Sequence, residues 1–268
     1  MMLQPLRRLF GRAEPPPPAR VPDGERYYVV GDVHGRDDLF AALVEAIERD
    51  DAIAASADTT VVLLGDLVDR GPASAGVIDR AMDWKESRKL RFLAGNHEEM
   101  FLGAFEDPGI LRQFVKHGGR ETILSYGIPC EEYNSLTLEE LQQRLPVLVP
   151  RPHREFLASF EDMIVAGDYL FVHAGIDPSR PLEEQQRSDL LWIRDRFLRH
   201  RLPHSHIVVH GHTIFEEVAD EGNRIGIDTG AYRTGRLTAL ILEGDTRRFL
   251  STVEKDGRIT VEGASAVS

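Results

Sequence analysis

Apolar residues in this chain are arranged in two ways, and the change between them divides the sequence. In the first half, the short runs RYYVVGD, TTVVLLGD and LRFLAGN are almost continuously apolar, and each is followed by a stretch of helical periodicity. After the first run, Leu39, Phe40, Leu43, Val44 and Ile47 recur at three- and four-residue spacing, with Asp37 or Asp38 placed to cap the start. ASAGVIDRAMDWKES and the residues after GNHEEM repeat that unit. Continuous runs rather than alternating ones predict strands covered on both faces, so the first half reads as an α/β layer with helices against a parallel sheet. Further on, DMIVAGDYLFVHAG, SHIVVHGHT, RIGIDTG, GRLTALILEG and RRFLSTVEKDGRITV are strands separated by turns, which predict a second, largely antiparallel sheet. Between the halves, GILRQFVKHGGRETILSYGI and the residues up to 160 carry helical segments and a glycine pair; they predict a cap insertion over the sheet edge at about 109–160.

Length sharpens this to one domain. The 268 residues, 42% hydrophobic and 28% charged, suffice for one large core, and no linker interrupts residues 25–268. Residues 1–24 contain GRAEPPPPARVPDG, whose prolines cannot donate backbone hydrogen bonds, and predict a disordered tail. The basic LRRLF within it reads as part of that leader. The lone Cys130 excludes an intrachain disulfide framework and a thiolate metal cluster. No apolar run approaches the roughly 20 residues of a membrane span, and no secretory signal pattern opens the chain, so a cytoplasmic protein is expected. A formal net charge of −12 argues against a nucleic-acid partner.

Chemistry is concentrated where the apolar runs stop. Three consecutive predicted strands end in GDVHG, GDLVDRG and GNHE, and two later ones in HAG and HGHT. Carboxyl ends of strands in open α/β sheets are where ligands bind, and flanking glycines let the backbone turn sharply there. The polar set is oxygen and imidazole with no thiol, which suits hard or borderline divalent metals such as Mn, Fe, Zn, Co or Ni. Each motif alone is an ordinary turn; five in this order are a signature.

With these motifs the chain resembles the phosphoprotein phosphatase branch of the calcineurin-like metallophosphoesterases, over residues 26 to about 242. The resemblance implies a four-layer metallophosphoesterase sandwich, two mixed β-sheets flanked by helices, and a site holding two divalent metal ions, manganese foremost. Asp32 and His34 would bind the first metal, Asp66 would bridge both, and Asn96, His173 and His212 would complete the second. His97, paired with Asp69, would protonate the leaving alkoxide after a metal-activated hydroxide attacks phosphorus. Arg70 and Arg194 would clamp the phosphate, helped by Asn96. His210 is read as a neighbour of the site rather than a ligand. His117 is read as an exposed loop residue at its mouth, His153, His200, His204 and His206 as surface, and Trp192, Phe197 and Leu198 as packing.

The expected substrate is a phosphorylated protein or small phosphomonoester, as for a bacterial Ser/Thr protein phosphatase. The alternatives are a symmetrical diadenosine tetraphosphate hydrolase and a non-catalytic scaffold on the same fold. The intact ligand set disfavours the scaffold. In the cap, Arg112, Lys116, Arg120 and Arg144 are matched by Glu121, Glu131, Glu132, Glu139 and Glu140, so no cationic track for a long polyphosphate is expected.

Overall fold

A computed structural model of the chain describes residues 18–264. Parallel strands β1 (Glu25–Val30), β2 (Asp58–Leu63) and β3 (Leu90–Phe92) are linked by helices α1 (Asp37–Ile53) and α2 (Ser74–Ser87). Their side chains explain the continuous apolar runs. Tyr28, Val30, Val61 and Leu63 face Leu39, Phe40, Leu43, Ile47, Val77 and Ile78 of the helices. Their neighbours Tyr27, Val29, Val62 and Leu64 point the other way, onto Ile164, Phe171 and Val209 of a second sheet. Alternate residues thus enter two different cores, which leaves polar positions such as Glu25, Asp58 and Arg91 to the strand starts and the β3 edge.

The second sheet contains β4 (Met163–Ala166), β5 (Tyr169–Val172), β6 (Ile207–His210), β7 (Ala219–Asp220) and β8 (Arg224–Gly226), in the spatial order β4-β5-β6-β8-β7. Its outer face packs Leu170, Val172 and Val208 against Leu190, Ile193 and Phe197, from helices α9 (Arg187–Trp192) and α10 (Asp195–Leu198) and the link between them. The result is helix, sheet, sheet, helix.

Here the expectation of a separate, largely antiparallel sheet is corrected. β9 (Arg236–Glu243), β10 (Thr246–Lys255) and β11 (Arg258–Ala264) form an antiparallel meander, but it returns to the first sheet, with β9 beside β1. The centre of the second sheet, β5-β6-β8, is parallel. Excursions 173–206 and 211–223 separate those strands, long enough for the crossovers that parallel pairing requires.

Residues between the halves form α4 (Pro108–Phe114), a kinked turn (Val115–Gly119), α5 (Arg120–Ser125), α6 (Cys130–Ser135), α7 (Leu138–Leu148) and α8 (Arg151–Ala158), which follow α3 (Asn96–Gly103). Rather than only covering a sheet edge, they extend the helical layer. Leu111, Phe114, Ile123, Leu141, Leu145 and Phe156 are buried in the same core as β1 and β2. His153, expected at the surface, is buried between Tyr126 Oη at 3.0 Å and Asp79 Oδ1 at 2.9 Å. Packing also begins earlier than residue 25: Val21 is fully buried and its N–H donates to Gly244 O, while Asp168 N–H donates to Arg20 O. The expectations for residues 1–17, LRRLF among them, lie outside the described residues. Among the described residues no helix is long and apolar enough to cross a membrane.

Candidate metal centre

Both sheets present the carboxyl ends of their parallel strands to one place. β1 leads to Asp32 and His34, β2 to Asp66, Asp69 and Arg70, and β3 to Asn96 and His97 at the start of α3; β5 leads to His173 and β6 to His212. The turns that do this are strained. Among the described residues, six other than glycine have positive φ, and five of them are His34, Asp66, Asp69, Arg70 and His212. Such conformations persist only where surrounding bonds impose them. Glu98 supplies several: its carboxylate accepts the N–H groups of Gly95, Asp66, Leu67 and Val68 at 2.7 to 3.3 Å, tying the β2 and β3 loops together. Two glycines make room for carboxylates. A Cβ on Gly95 would sit 2.2 Å from Asp66 Oδ1, and one on Gly211 2.0 Å from Asp32 Oδ1.

Asp66 stands at the centre. Its carboxylate lies 3.5 Å from His34 Nε2 and 3.4 Å from His173 Nε2 and accepts His97 N–H at 3.0 Å. Asn96 Oδ1 is 3.0 Å from His173 Nε2 and 2.8 Å from His212 Nδ1. Ligand atoms of Asp66, His173 and His212 fall within 4.8 Å of one another, as do those of His34, Asp66 and His97. The second group differs from the expected first-metal set, since His97 stands where Asp32 was placed. Asp32 Oδ2 instead accepts His212 N–H at 2.9 Å, and its Oδ1 is buried without a hydrogen-bond partner.

Protonation follows the surroundings. Carbonyl oxygens can only accept, so the rings facing Val68 O (His34 Nδ1, 2.8 Å) and Leu64 O (His173 Nδ1, 2.8 Å) carry their proton on that side and turn the Nε2 lone pair inward. Burial holds both rings below the ordinary imidazole range, and with His173 beside it pulls His212 down to about 2, so all three are neutral and able to ligate. His97 goes the other way. Burial pulls it down, but Asp66 and the 2.6 Å contact of its Nδ1 with Asp69 Oδ2 outweigh that and raise it. Burial raises Asp69 too, so the proton shared by this pair is held more tightly than on either free group. Asp32 is raised well above the carboxylate range by burial and by the charges of Asp228 and Asp66; burial and Asp66 bring Asp228 up to about 6. Buried, mutually repelling carboxylates with orphaned oxygens beside neutral imidazoles are a donor set that fits divalent cations.

Two arginine forks enter the cluster. Arg70 reaches His34 Nε2 at 2.8 Å and His97 Nε2 at 2.9 Å and lies 4.8 Å above the Tyr232 ring. Arg194 Nε donates to His212 Nε2 at 3.0 Å. All the site residues expected from sequence are therefore brought together in one region. His210 is buried near it, edge-on to Phe197 and Phe215, with Nδ1 at Gly211 O. His117 is exposed, its Nδ1 donating to Gln113 O. Trp192, expected in packing, is 42% exposed; its indole N–H donates to Glu99, and it lines a cavity of about 650 Å³ with Met100, Ile110 and His117. Glu98, Thr122, Asp228 and Tyr232 were missed. Asp228 had a visible signal, because RIGIDTG is one more strand ending in an acidic residue and glycine.

The family model for calcineurin-like phosphoesterases matches residues 25–234. The chain is 28% identical over 221 residues to serine/threonine-protein phosphatase 2 of Escherichia coli (strain K12), covering 79% of this chain and 90% of that protein. It is 25% identical over 238 residues to the asymmetrical bis(5'-nucleosyl)-tetraphosphatase PrpE of Anoxybacillus flavithermus (strain DSM 21510 / WK1), covering 80% and 89%. A crystal structure described as that of "a putative diadenosine tetraphosphatase" superposes with a TM-score of 0.58 at 20% identity, covering 92% of this chain and 99% of that one, a likeness of fold.

Proposed function

We propose that this chain, which belongs to the calcineurin-like phosphoesterase family, hydrolyses phosphomonoesters at a binuclear divalent-metal centre and takes phosphoserine or phosphothreonine in proteins as its substrate. The observation that carries the reading is the convergence of Arg70, His34, His97 and Asp66 within single hydrogen-bond distances. A phosphate-matching fork, neutral ligands and a proton-holding imidazole thereby share one space.

In this reading Asp32, His34 and Asp66 hold one metal, and Asp66, Asn96, His173 and His212 the other. Bound there, divalent ions supply a water of lowered pKa and draw charge from the phosphoryl oxygens. Arg70 and Arg194 present planar donor pairs to those oxygens, and the Asn96 amide adds a donor. Asp69 accepts from His97 Nδ1, and Nε2 accepts from Arg70, so Nε2 takes up its proton when the guanidinium turns from the ring to the phosphate. From there it passes to the departing serine or threonine oxygen.

The protein substrate rests on two supports. The E. coli protein phosphatase is similar over nearly its whole length. The charges of the helical segment also disfavour a long polyphosphate: Arg144 is paired with Glu132 and Arg120 with Glu121, and the cavity beside the site is rimmed by Glu99 and Asp107. The similarity to PrpE favours a second reading, hydrolysis of dinucleoside tetraphosphates. One preparation assayed on a phosphoserine peptide, para-nitrophenyl phosphate and diadenosine tetraphosphate separates them. The peptide is expected to have the higher kcat/KM of the two physiological classes; a dinucleotide value well above it would overturn the substrate and leave the centre standing.

A further inference from the structure

We infer that the segment HGGRET (117–122) is a clamp that sets the proton-donating pair, with Thr122 a positioning residue that acts on His97 through Asp69. The inference rests on the acid role proposed for His97 and extends it to a residue that touches neither metal ligands nor phosphate.

Asp69 and Arg70 occupy the left-handed region in succession, at φ +73° and +70°. Neither has a glycine's freedom, so each conformation is strained and must be imposed by its surroundings. The bonds that impose it come from the helical segment and from the start of α2. Arg70 N–H donates to Gly118 O at 3.1 Å, and Gly118 itself has φ +109°, packed so closely that a Cβ would lie 2.8 Å from Arg70 N and Cγ. Asp69 N–H donates to Thr122 Oγ1 at 2.8 Å and to Ser74 Oγ at 3.0 Å.

Thr122 does more than hold the backbone. Its hydroxyl donates to Asp69 Oδ1 at 2.6 Å, so Ser74, 2.9 Å away, must donate to Thr122. One donor and two acceptor sites of a fully buried hydroxyl are thus all used in this corner. The other oxygen of the same carboxylate, Oδ2, faces His97 Nδ1. The carboxylate is therefore held at both ends, and its rotation, which decides where the imidazole points, is fixed by Thr122.

Thr122→Val keeps the shape and removes both roles of the hydroxyl, while Ser74 still receives Asp69 N–H. The expected result is a fall in kcat of about tenfold or more on a phosphoserine peptide, and of less than about threefold on para-nitrophenyl phosphate, whose leaving group needs little protonation. Manganese content should not change, Thr122→Ser should restore both rates to within about twofold, and in a His97→Ala background Thr122→Val should add nothing. Equal losses on the two substrates, or a full additional loss on top of His97→Ala, would overturn the role of Thr122 while His97→Ala still discriminates between leaving groups. If His97→Ala costs both substrates equally, the acid reading falls and takes this inference with it. Should the valine variant not fold, Thr122→Ala carries the same test, with Thr122→Ser as its rescue.

Discussion

Two corners of the centre use the same residue type for opposite ends. At the strand ends, His34 and His173 point Nδ1 at backbone carbonyls, and burial keeps them neutral. At the corner where the β2 loop meets the helical segment, His97 points Nδ1 at a carboxylate, and its pKa is raised. All three rings are buried and surround Asp66. What the opposite nitrogen touches, not burial, separates an imidazole able to ligate from one able to hold a proton.

The strand-end corner should give the largest effect. Chelation is expected to abolish turnover and manganese to restore it best; it should also raise the melting temperature, because Asp32, Asp66 and Asp228 are buried close enough to repel one another without a cation. Asp66→Asn weakens both proposed sites and should cost more than the about 10- to 100-fold of an outer-sphere change. Elemental analysis that finds an active, metal-free preparation would end the two-metal reading.

These two corners also mark what a single sequence discloses. Asp32, His34, Asp66, Asn96, His173 and His212 announce themselves because each follows an apolar run within a few residues of a glycine, so the signal is local. Thr122 gives no such signal: its partner Asp69 lies on the β2 loop, and only the packing of α5 against α2 brings them together. Tyr232 is equally silent, a tyrosine after IDTGA that meets Arg70 only in three dimensions. The same limit explains the misplaced β9–β11 meander, since alternation predicts a hairpin but not the edge it joins. It explains Trp192 as well: apolar identity suggested packing, yet α9 turns the ring toward Glu99 and the cavity.

His97→Ala tests the other corner directly. It should lower kcat on a phosphoserine peptide by about 10²- to 10⁴-fold with much less loss on para-nitrophenyl phosphate, at near-normal metal content. Asp69→Asn should follow the same pattern in milder form. Loss of metal on His97→Ala would move this ring to the ligating class, as the compact His34, Asp66, His97 group permits, and erase the contrast between the corners.

Arg70 joins the corners, with one guanidinium nitrogen at His34 and another at His97. Lysine keeps the charge but not the fork. Losing one charge-assisted hydrogen bond of about 1.5–3 kcal/mol predicts a fall in kcat/KM of roughly 10- to 150-fold for Arg70→Lys, on every phosphomonoester alike. A loss graded by leaving group would instead place Arg70 in the proton transfer.

The smallest expected effect belongs to Tyr232, which touches both Arg70 and His34. Its ring lies 4.8 Å from the guanidinium carbon and 5.3 Å edge-on from the His34 ring. Contact of this kind contributes about 0.5 to 2 kcal/mol depending on desolvation, and the ring is half-buried, so about 1 kcal/mol is a fair middle value. If that energy only keeps Arg70 aimed between the two histidines, Tyr232→Leu should lower kcat/KM about fivefold, with bound metal and melting temperature unchanged. The face of the ring acts here, not its hydroxyl, so Tyr232→Phe should be close to the parent. Equal losses in the Phe and Leu variants would show that the hydroxyl contributes. A Leu variant that sheds metal would show that the ring supports His34, and the platform would then belong to the strand-end corner rather than to the arginine that spans both.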